Sequence, residues 1–264
     1  MNFDEQSLAR CLSGKKIGSP VYFFREVDST NDVAFGLASS GAAEGTAVIA
    51  DHQKEGKGRL SRRWQSPPGC NLYTSLVLRP AMSPSVAPQI TLMAGVVMAE
   101  LIAQFCPGKV ELKWPNDVMI RGKKVCGILT EMKASVDQGV EFIIAGIGIN
   151  VNMKKEEFDE AFRDVATSLR EEAGTEISRL DFTVNLYEKF EHRYFMLLRE
   201  GFEPIKDRWL EYADIVGKYI KVRFNEAVQA GNVIGIDAHG ALLLRDESNH
   251  VRRIMAGDAS IIRG

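Results

Sequence analysis

The chain has few residues of the kinds that build metal centres or disulfide frameworks. Its 264 residues include four cysteines and four histidines. The cysteines, at positions 11, 70, 106 and 126, form no CxxC pair, and no histidine stands at metal-ligand spacing to them. We therefore expect neither a zinc site nor a disulfide framework, and we expect reduced thiols.

Long apolar runs are also missing from the sequence. Runs such as residues 142–149 are far shorter than the roughly 20 residues that a membrane-spanning helix needs. The amino-terminal sequence MNFDEQSLAR has no apolar segment of the kind found in signal peptides. The sequence therefore predicts a cytoplasmic protein that does not contact a membrane.

Neither sign of charge dominates the chain. Its 33 Lys and Arg residues nearly balance 35 Asp and Glu residues, which gives a formal net charge of −2. Apolar residues make up 45% and charged residues 26% of the chain, as in ordinary globular proteins. This balance excludes a polycationic protein, so any basic cluster is a local feature.

The most distinctive segment that is present is a basic loop at residues 53–64, with the sequence QKEGKGRLSRRW. Five of these twelve residues are cationic, and Gly56 and Gly58 stand among them. Glycine lets the main chain approach a ligand closely, and guanidinium groups bind phosphate or carboxylate through paired hydrogen bonds. The pattern predicts an ordered anion-binding loop. A solvated charged loop and a nucleic-acid contact are the alternatives.

Four further segments place polar groups at strand ends and turns. They are DSTN at 28–31, KWPND at 113–117, GKKVCGILTE at 122–131 and GIGINVN at 146–152. Each has an ordinary structural explanation: a helix cap, a hairpin turn, a strand with an edge lysine, or a glycine-containing strand. The last segment is not a complete dinucleotide-binding fingerprint. Its glycines would instead free one strand face for a flat ligand.

The hydrophobic pattern predicts an α+β fold in two parts. Residues 1–213 contain helical segments and closely spaced strands, which indicates a mixed, largely antiparallel sheet, and a long apolar helix is predicted over 88–105. From 214 to 264, short β-segments alternate with turns, as in a small barrel. We therefore predict a larger domain over 1–213 and a C-terminal barrel over 214–264.

Taken together, the five motif segments resemble the biotin protein ligase family in both order and spacing. The resemblance extends over nearly the whole chain. It implies a class II synthetase-like central domain, of the biotin–lipoate ligase type, followed by an SH3-like C-terminal barrel. Lipoate ligases share the central fold, so a lipoate- or octanoate-protein ligase is the alternative activity.

The resemblance implies a two-step reaction. ATP, with Mg²⁺, and biotin would give biotinoyl-5′-AMP and pyrophosphate, and a lysine of a biotin carboxyl carrier domain would then accept the biotinoyl group. Family members that repress transcription carry a winged-helix domain before DSTN, whereas only 27 residues precede Asp28 here. We therefore expect no DNA binding. A homodimer is a further possibility, formed through an exposed strand edge near 124–132.

Roles for individual residues also follow from the resemblance. Arg59 and Lys124 would be catalytic. The implied biotin-binding residues are Ser29, Thr30, Asn31, Gln53, Gly56, Lys57, Gly58, Arg59, Lys124 and Gly127. The implied nucleotide-binding residues are Trp64, Lys113, Asn116, Asp117 and Asn150. Metal ligands are not predicted. Two loop positions depart from the family pattern: Lys57 stands where many members carry Arg, and Ser61 where Gly is frequent.

Overall fold

The computed structural model describes residues 2–135, 139–224 and 227–261. The helices in this part of the chain are α1 (Glu5–Cys11), α2 (Thr30–Ser39), α3 (Pro88–Ile102), α4 (Leu169–Ala173), α5 (Arg179–Glu200) and α6 (Glu203–Ala213). The first seven strands are β1 (Val21–Val27), β2 (Ala47–Gln53), β3 (Leu72–Leu78), β4 (Val110–Lys113), β5 (Asp117–Ile120), β6 (Lys123–Ser135) and β7 (Gly139–Ile149). The remaining strands are β8 (Tyr219–Phe224), β9 (Ala227–Ile236), β10 (Leu242–Arg245), β11 (Val251–Ile254) and β12 (Asp258–Ile261).

The central sheet has seven strands in the order β1-β2-β3-β7-β6-β5-β4. Only β1 and β2 pair in parallel, and the other neighbours are antiparallel. This confirms the predicted mixed, largely antiparallel sheet. The order also brings the ends of β2, β6 and β7, which carry three of the sequence motifs, to one region of the molecule.

The prediction of an exposed strand edge over 124–132 is wrong for residues 124–127. The strand β5 pairs with β6 as far as Gly127, so Lys124 lies inside the sheet. Beyond that point the described ladders give β6 a neighbour only on the β7 side. Strand order is not visible in the sequence, which explains the error. The predicted pairing with a second copy stays a prediction, now confined to residues 129–132, because the N–H and carbonyl groups of Ile128 already bond to Asn116.

The long apolar helix α3 is the centre of the hydrophobic core. Twelve of its residues are buried, from Gln89 to Ile102, and the helix packs against α5, α6 and the sheet. The stretch Pro84–Ile102 is long and apolar enough to cross a membrane. However, 67% of its apolar segment is buried inside the molecule, as in the core helix of a globular protein. The helix ends three residues before the predicted Phe105, ahead of the helix-breaking pair Pro107-Gly108.

The C-terminal strands form a second sheet, antiparallel throughout, in the order β11-β10-β9-β8-β12. Its buried residues, such as Ile220 and Leu242, belong to the same apolar cluster as the core around α3. Two hydrogen bonds add to this contact. Gln89 Nε2 donates to the carbonyl of Ala238 at 2.7 Å, and Trp114 Nε1 donates to that of Gly240 at 3.4 Å.

Candidate active site

A cavity of about 450 Å³ opens between the loop at 53–64, the start of α2 and the strands β6 and β7. Its volume lies in the range of sites that bind small molecules. Thirteen of the fifteen predicted site residues line it: Ser29, Thr30, Asn31, Gln53, Lys57, Gly58, Arg59, Trp64, Asn116, Asp117, Lys124, Gly127 and Asn150.

Two predicted site residues do not line this cavity. Lys113 ends the edge strand β4 and is exposed, because strand alternation turns it away from its buried neighbour Leu112. Gly56 borders a cleft on the outer side of the loop. A Cβ atom there would lie only 2.5 Å from the Trp64 carbonyl oxygen and 2.6 Å from Ser66 Oγ. Gly56 therefore allows close packing at the base of the loop.

The inner end of the cavity is uncharged and polar. The strand β2 ends at Gln53, whose Oε1 accepts hydrogen bonds from the Thr30 N–H at 2.9 Å and from Thr30 Oγ1 at 3.1 Å. Ser75 Oγ lies 2.8 Å from Thr30 Oγ1. Ser29, the N-cap residue of α2, stands beside them and is buried like Thr30. Such a fixed set of hydroxyl and amide groups suits a neutral polar ligand.

Asn31 connects this inner end to strands β3 and β6 through hydrogen bonds. Its Nδ2 donates to Glu131 Oε2 at 2.6 Å and to the Leu129 carbonyl at 3.3 Å. Its Oδ1 accepts from Ser75 Oγ at 2.7 Å. A Cβ atom on Gly146 would lie 2.0 Å from Asn31 Oδ1, so this glycine makes room for the asparagine.

The other end of the cavity is cationic. Lys124 Nζ lies 2.6 Å from Asp117 Oδ1 and 5.3 Å from the centre of the Trp64 ring. Among the described residues that line the cavity, five are cationic and one is a carboxylate, namely Lys57, Arg59, Arg62, Arg63 and Lys124 against Asp117. This excess of positive charge favours an anionic ligand.

Arg59 connects the loop to both sheets. Its Nη1 donates to Asn116 Oδ1 at 3.1 Å, and Nη1 and Nη2 both lie 3.3 Å from the carbonyl oxygen of Gly257. Arg59 begins a short 3₁₀ turn in which Leu60 and Ser61 have φ angles of 53° and 58°. The backbone at Ser61 is left-handed, a conformation that glycine adopts more readily than serine.

Lys57 is held by the helix α2. Its ammonium group forms an ion pair with Asp32, and this hydrogen bond raises the pKa of Lys57 although partial burial acts in the opposite direction. Outside the cavity, Lys54 lies 3.4 Å from both Glu26 and Asp28. Carboxylates therefore balance part of the charge on the outer face of the loop.

Trp64 rests on a floor made by two glycines. Gly127 and Gly148 are paired across β6 and β7. A Cβ atom on Gly148 would lie 2.7 Å from Trp64 Nε1, and one on Gly127 would lie 3.2 Å from Trp64 Cζ3. The strand face that the sequence predicted to be free for a flat ligand is therefore covered by the indole ring. Trp64 Nε1 is buried without a hydrogen-bond partner among the described residues.

One wall of the cavity was missed by the sequence analysis. It contains Phe158, Phe162 and Val165, of which the last two are 40% and 57% exposed. The main chain of this segment pairs with the start of β6, where the Lys124 N–H donates to the Val165 carbonyl at 2.8 Å. Two phenylalanines four residues apart within the charged stretch KKEEFDEAFRDV were the available signal.

Asn150 holds this wall in place. Its Nδ2 donates to the carbonyl of Thr167 at 3.0 Å, and its own carbonyl accepts from the N–H of Leu169 at 3.0 Å. Gln65 provides a second attachment, because its Oε1 accepts from the Asp159 N–H at 3.0 Å. The apolar wall therefore stands next to the cationic end of the cavity.

No group of three or more His, Cys, Asp or Glu side chains that could hold a metal ion occurs within residues 2–135, 139–224 and 227–261. Near the cationic end, the side-chain oxygens of Asn116 and Asp117 are the kind that Mg²⁺ prefers. Both already have partners, in Arg59 and Lys124 respectively. A metal that enters this cavity therefore needs most of its ligands from a bound molecule and water.

Comparison with known families gives two matches along the chain. Residues 23–150 match the biotin/lipoate A/B protein ligase family. Residues 215–261 match the biotin protein ligase C-terminal domain. The first match contains all five motif segments except the end of GIGINVN, and the second covers the C-terminal sheet.

Individual relatives agree with these matches. The chain is 38% identical to the bifunctional ligase/repressor BirA of Bacillus subtilis, over 95% of this chain and 76% of that protein. It is 35% identical to the biotin–[acetyl-CoA-carboxylase] ligase of Paracoccus denitrificans, over 83% of this chain and 91% of that protein.

A solved structure shows the same fold. The biotin protein ligase from Aquifex aeolicus in complex with biotin and ATP superposes with a TM-score of 0.78 at 30% identity, over 92% of this chain and 99% of that one. The sequence, the cavity and these matches agree. The chain belongs to the biotin protein ligase family.

Proposed function

We propose that the protein activates biotin with ATP to form biotinoyl-5′-AMP and pyrophosphate, and then transfers the biotinoyl group to a lysine of a biotin carboxyl carrier domain. One observation carries the proposal: a single cavity has a buried neutral hydrogen-bonding end and a cationic end. Biotin has the matching pair of features, a neutral ureido group and a carboxylate. The cytoplasm supplies both ATP and carboxylases.

The inner end would bind the ureido group. Ser29, Thr30 and Gln53 provide hydroxyl and amide groups that are almost fully buried, so each hydrogen bond to the ligand forms away from water. Asn31 would act by supporting this set, since its own amide is occupied by Leu129 and Glu131. Trp64, on its floor of Gly127 and Gly148, would pack along the aliphatic chain of biotin.

The cationic end would bring two anions together. In the first step an oxygen of the biotin carboxylate attacks the α-phosphorus of ATP, and the bond from that phosphorus to the bridging oxygen of pyrophosphate breaks. Lys124 and Arg59, with the main chain around Gly58, would offset the repulsion between carboxylate and phosphate and the charge of the transition state. Asp117 would orient the Lys124 ammonium group.

The nucleotide would lie between the cationic end and the apolar wall. The wall of Phe158, Phe162 and Val165 offers a surface for a flat base, and Asn150 would position it through Thr167. Asn116 would stand beside the phosphates through its contact with Arg59. Mg²⁺ would arrive with ATP as part of the substrate, coordinated mainly by phosphate oxygens and water.

In the second step the ε-amine of the acceptor lysine attacks the acyl carbon, and AMP leaves. The chain's own contribution would be to hold the adenylate until the acceptor arrives and to stabilise the departing phosphate with Arg59 and Lys124. The alternative of nucleic-acid binding is weakened, because two lysines of the loop already form ion pairs. Lys54 pairs with Glu26 and Asp28, and Lys57 pairs with Asp32. We propose that the protein does not bind DNA.

The test is pyrophosphate release from MgATP by the purified protein, with biotin, lipoate or octanoate as the acid. We expect release that depends on biotin and is weak with the other two acids. Faster release with lipoate or octanoate would contradict the proposal and favour the alternative ligase. Binding to duplex DNA that weakens steeply with salt would instead favour the nucleic-acid function.

A further inference from the structure

A serine outside the motifs lies directly behind the inner end of the cavity. Ser66 is 6% exposed. Its Oγ accepts a hydrogen bond from Gln53 Nε2 at 3.0 Å and donates one to the carbonyl of Trp64 at 3.0 Å. Ser66 therefore joins Gln53 of the inner end to Trp64 at the end of the basic loop.

The donors and acceptors around Gln53 permit only one orientation of its amide. The main-chain N–H of Thr30 can only donate, so the group facing it must be the carbonyl oxygen Oε1. The hydroxyl hydrogen of Ser66 is directed to the Trp64 carbonyl, so Ser66 Oγ can only accept and requires the amide nitrogen Nε2. Both neighbours fix the same orientation.

This orientation decides what Gln53 offers to a ligand. Its Oε1 already accepts two hydrogen bonds from Thr30. Its Nε2 uses one of two N–H groups on Ser66. The group that remains is one N–H donor, on a side chain that lines the cavity. The matching ligand atom is an acceptor, such as a carbonyl oxygen.

The same serine is packed against the base of the loop. Trp64 N–H donates to the Gly56 carbonyl at 2.8 Å. A Cβ atom on Gly56 would lie 2.6 Å from Ser66 Oγ and 3.2 Å from Gln53 Nε2. Gly56, Trp64, Ser66 and Gln53 therefore form one tightly packed unit, and a displacement of the loop base is transmitted to the Gln53 amide.

We propose that Ser66 is a positioning residue. It fixes the Gln53 amide so that an N–H donor faces the neutral head of the substrate, and it connects this donor to the base of the loop. The inference rests on the proposed biotin ligase function. If Gln53 presents an N–H donor, the site should prefer a substrate whose head group has a carbonyl oxygen at this place over one that has an N–H donor there.

A double-mutant cycle with Ser66→Ala and Gln53→Ala tests the proposal. We expect Ser66→Ala to raise the KM for biotin by about tenfold, with kcat and the KM for ATP within about twofold of wild type. In the Gln53→Ala background, Ser66→Ala should change the KM for biotin by less than about twofold, because the serine acts through the glutamine. Independent, multiplicative effects of the two changes would overturn the proposal.

A second readout uses 2-iminobiotin, whose protonated guanidino group presents donors where biotin has its carbonyl. The preference of the wild-type protein for biotin over 2-iminobiotin should fall about tenfold in Ser66→Ala. A role limited to fold stability would not change this preference. An unchanged preference in a folded Ser66→Ala protein would overturn the proposal.

The matched control is Thr46→Val. Thr46 is equally buried, and its Oγ1 donates to the Ala43 carbonyl at 2.8 Å at the opposite end of β2. The KM values and acid preference of Thr46→Val should match the wild type.

If Ser66→Ala fails to fold, Ser66→Cys replaces it, because cysteine is close in size to serine and its sulfur is a weaker acceptor. Ser66→Cys should raise the KM for biotin by a smaller factor. An unchanged KM would overturn the proposal. Absence of biotin-dependent pyrophosphate release from wild type would instead refute the proposed function itself.

Discussion

At the scale of single residues, two of the five cations that line the cavity, Lys124 and Arg59, are held in different ways. Lys124 lies inside the sheet, where Asp117 and the Trp64 ring hold its ammonium group. Arg59 lies on a turn and contacts Asn116 and the Gly257 carbonyl. The lysine therefore belongs to the rigid frame of the site, and the arginine to the loop that must accommodate the ligand.

Replacement of Lys124 by Ala should slow the first step by at least ~10²-fold, as expected for the loss of one preorganised donor to a charged transition state. The measurement is biotin-dependent pyrophosphate release. Lys123→Ala is the matched control, because Lys123 is the neighbouring residue on β6 and does not line the cavity. A loss of tenfold or less in Lys124→Ala would limit this residue to a structural role.

Replacement of Arg59 by Gly should weaken the hold on biotinoyl-5′-AMP. A hydrogen bond to a charged group contributes about 1.5–3 kcal/mol, so we expect about tenfold or more release of the adenylate before transfer. Released adenylate biotinylates bystander proteins, which a labelling assay with serum albumin measures. The control is Arg199→Ala, on the exposed end of α5. Equal albumin labelling by Arg59→Gly and wild type would show that Arg59 does not retain the intermediate.

At the scale of elements, the site depends on how β6, β7 and the basic loop fit together. The paired glycines Gly127 and Gly148 let the indole of Trp64 lie flat on the sheet. Trp64 in turn closes the loop, since its N–H donates to the Gly56 carbonyl. A substitution that moves the Trp64 ring off these glycines should therefore also displace the base of the loop.

An alanine series tests this arrangement. Gly148→Ala should displace the Trp64 ring and reduce the biotin-dependent rate by ~10–100-fold, in keeping with the cost of misplacing a binding group by about 1 Å. Gly127→Ala should displace the ring less, because its new Cβ would lie 3.2 Å from the ring, whereas a Cβ on Gly148 would lie 2.7 Å from it. The measurement is the rate of pyrophosphate release with each variant.

Gly36→Ala is the control for this series. It lies in α2, where a Cβ meets nothing within 4 Å, and it should stabilise the protein by about 0.5–1 kcal/mol without changing the rate. If Gly148→Ala reacted at the wild-type rate, the ring would not need its present position for the reaction.

The elements also show what could be predicted from sequence. The helix α3 and the largely antiparallel sheet were predicted correctly, apart from the last three residues of the helix, because apolar helical patterns and short β-segments are local signals. Thirteen of the fifteen candidate site residues line one cavity, and they could be named from the sequence because their motifs resemble those of one family. The wall at 158–166 was missed, since this irregular segment has no period. The glycine face was misinterpreted, because a sequence does not show which distant side chain will cover a glycine.

At the scale of the whole molecule, the C-terminal sheet is packed onto the central core and reaches the site through Gly257. We propose that the boundary between the two parts lies at 213/214, where α6 ends at Ala213 and its C-cap residue, Asp214, has a left-handed conformation. The turn between β9 and β10 is a main point of attachment, because Gln89 and Trp114 both donate to its carbonyl groups.

Asp237 stabilises this turn in a pH-dependent way. Its carboxylate accepts from the N–H groups of His239 at 2.8 Å and Ala241 at 2.9 Å and pairs with Arg253. Burial acts to raise the pKa of Asp237, but these partners outweigh it and hold the pKa below the usual 3.8. Because the folded-state pKa is the lower one, the stabilisation is complete above about pH 3.8 and is lost as the pH falls through the folded-state value.

We therefore expect Asp237→Asn to lower the free energy of unfolding by about 1–2 kcal/mol at pH 7. The difference from wild type should shrink as the pH falls below 3.8. Urea unfolding at pH 7 and pH 3 measures both effects, with Asp207→Asn, exposed on α6, as the control. A difference that is the same at both pH values would show that the carboxylate charge does not stabilise the turn.

The most direct test of the central claim is the intact mass of a biotin carboxyl carrier domain after incubation with the protein, biotin and MgATP. We predict the addition of one biotinoyl group to one lysine, dependent on both biotin and ATP and absent when that lysine is replaced by Arg. An unmodified carrier domain, or equal modification with lipoate in place of biotin, would contradict the account.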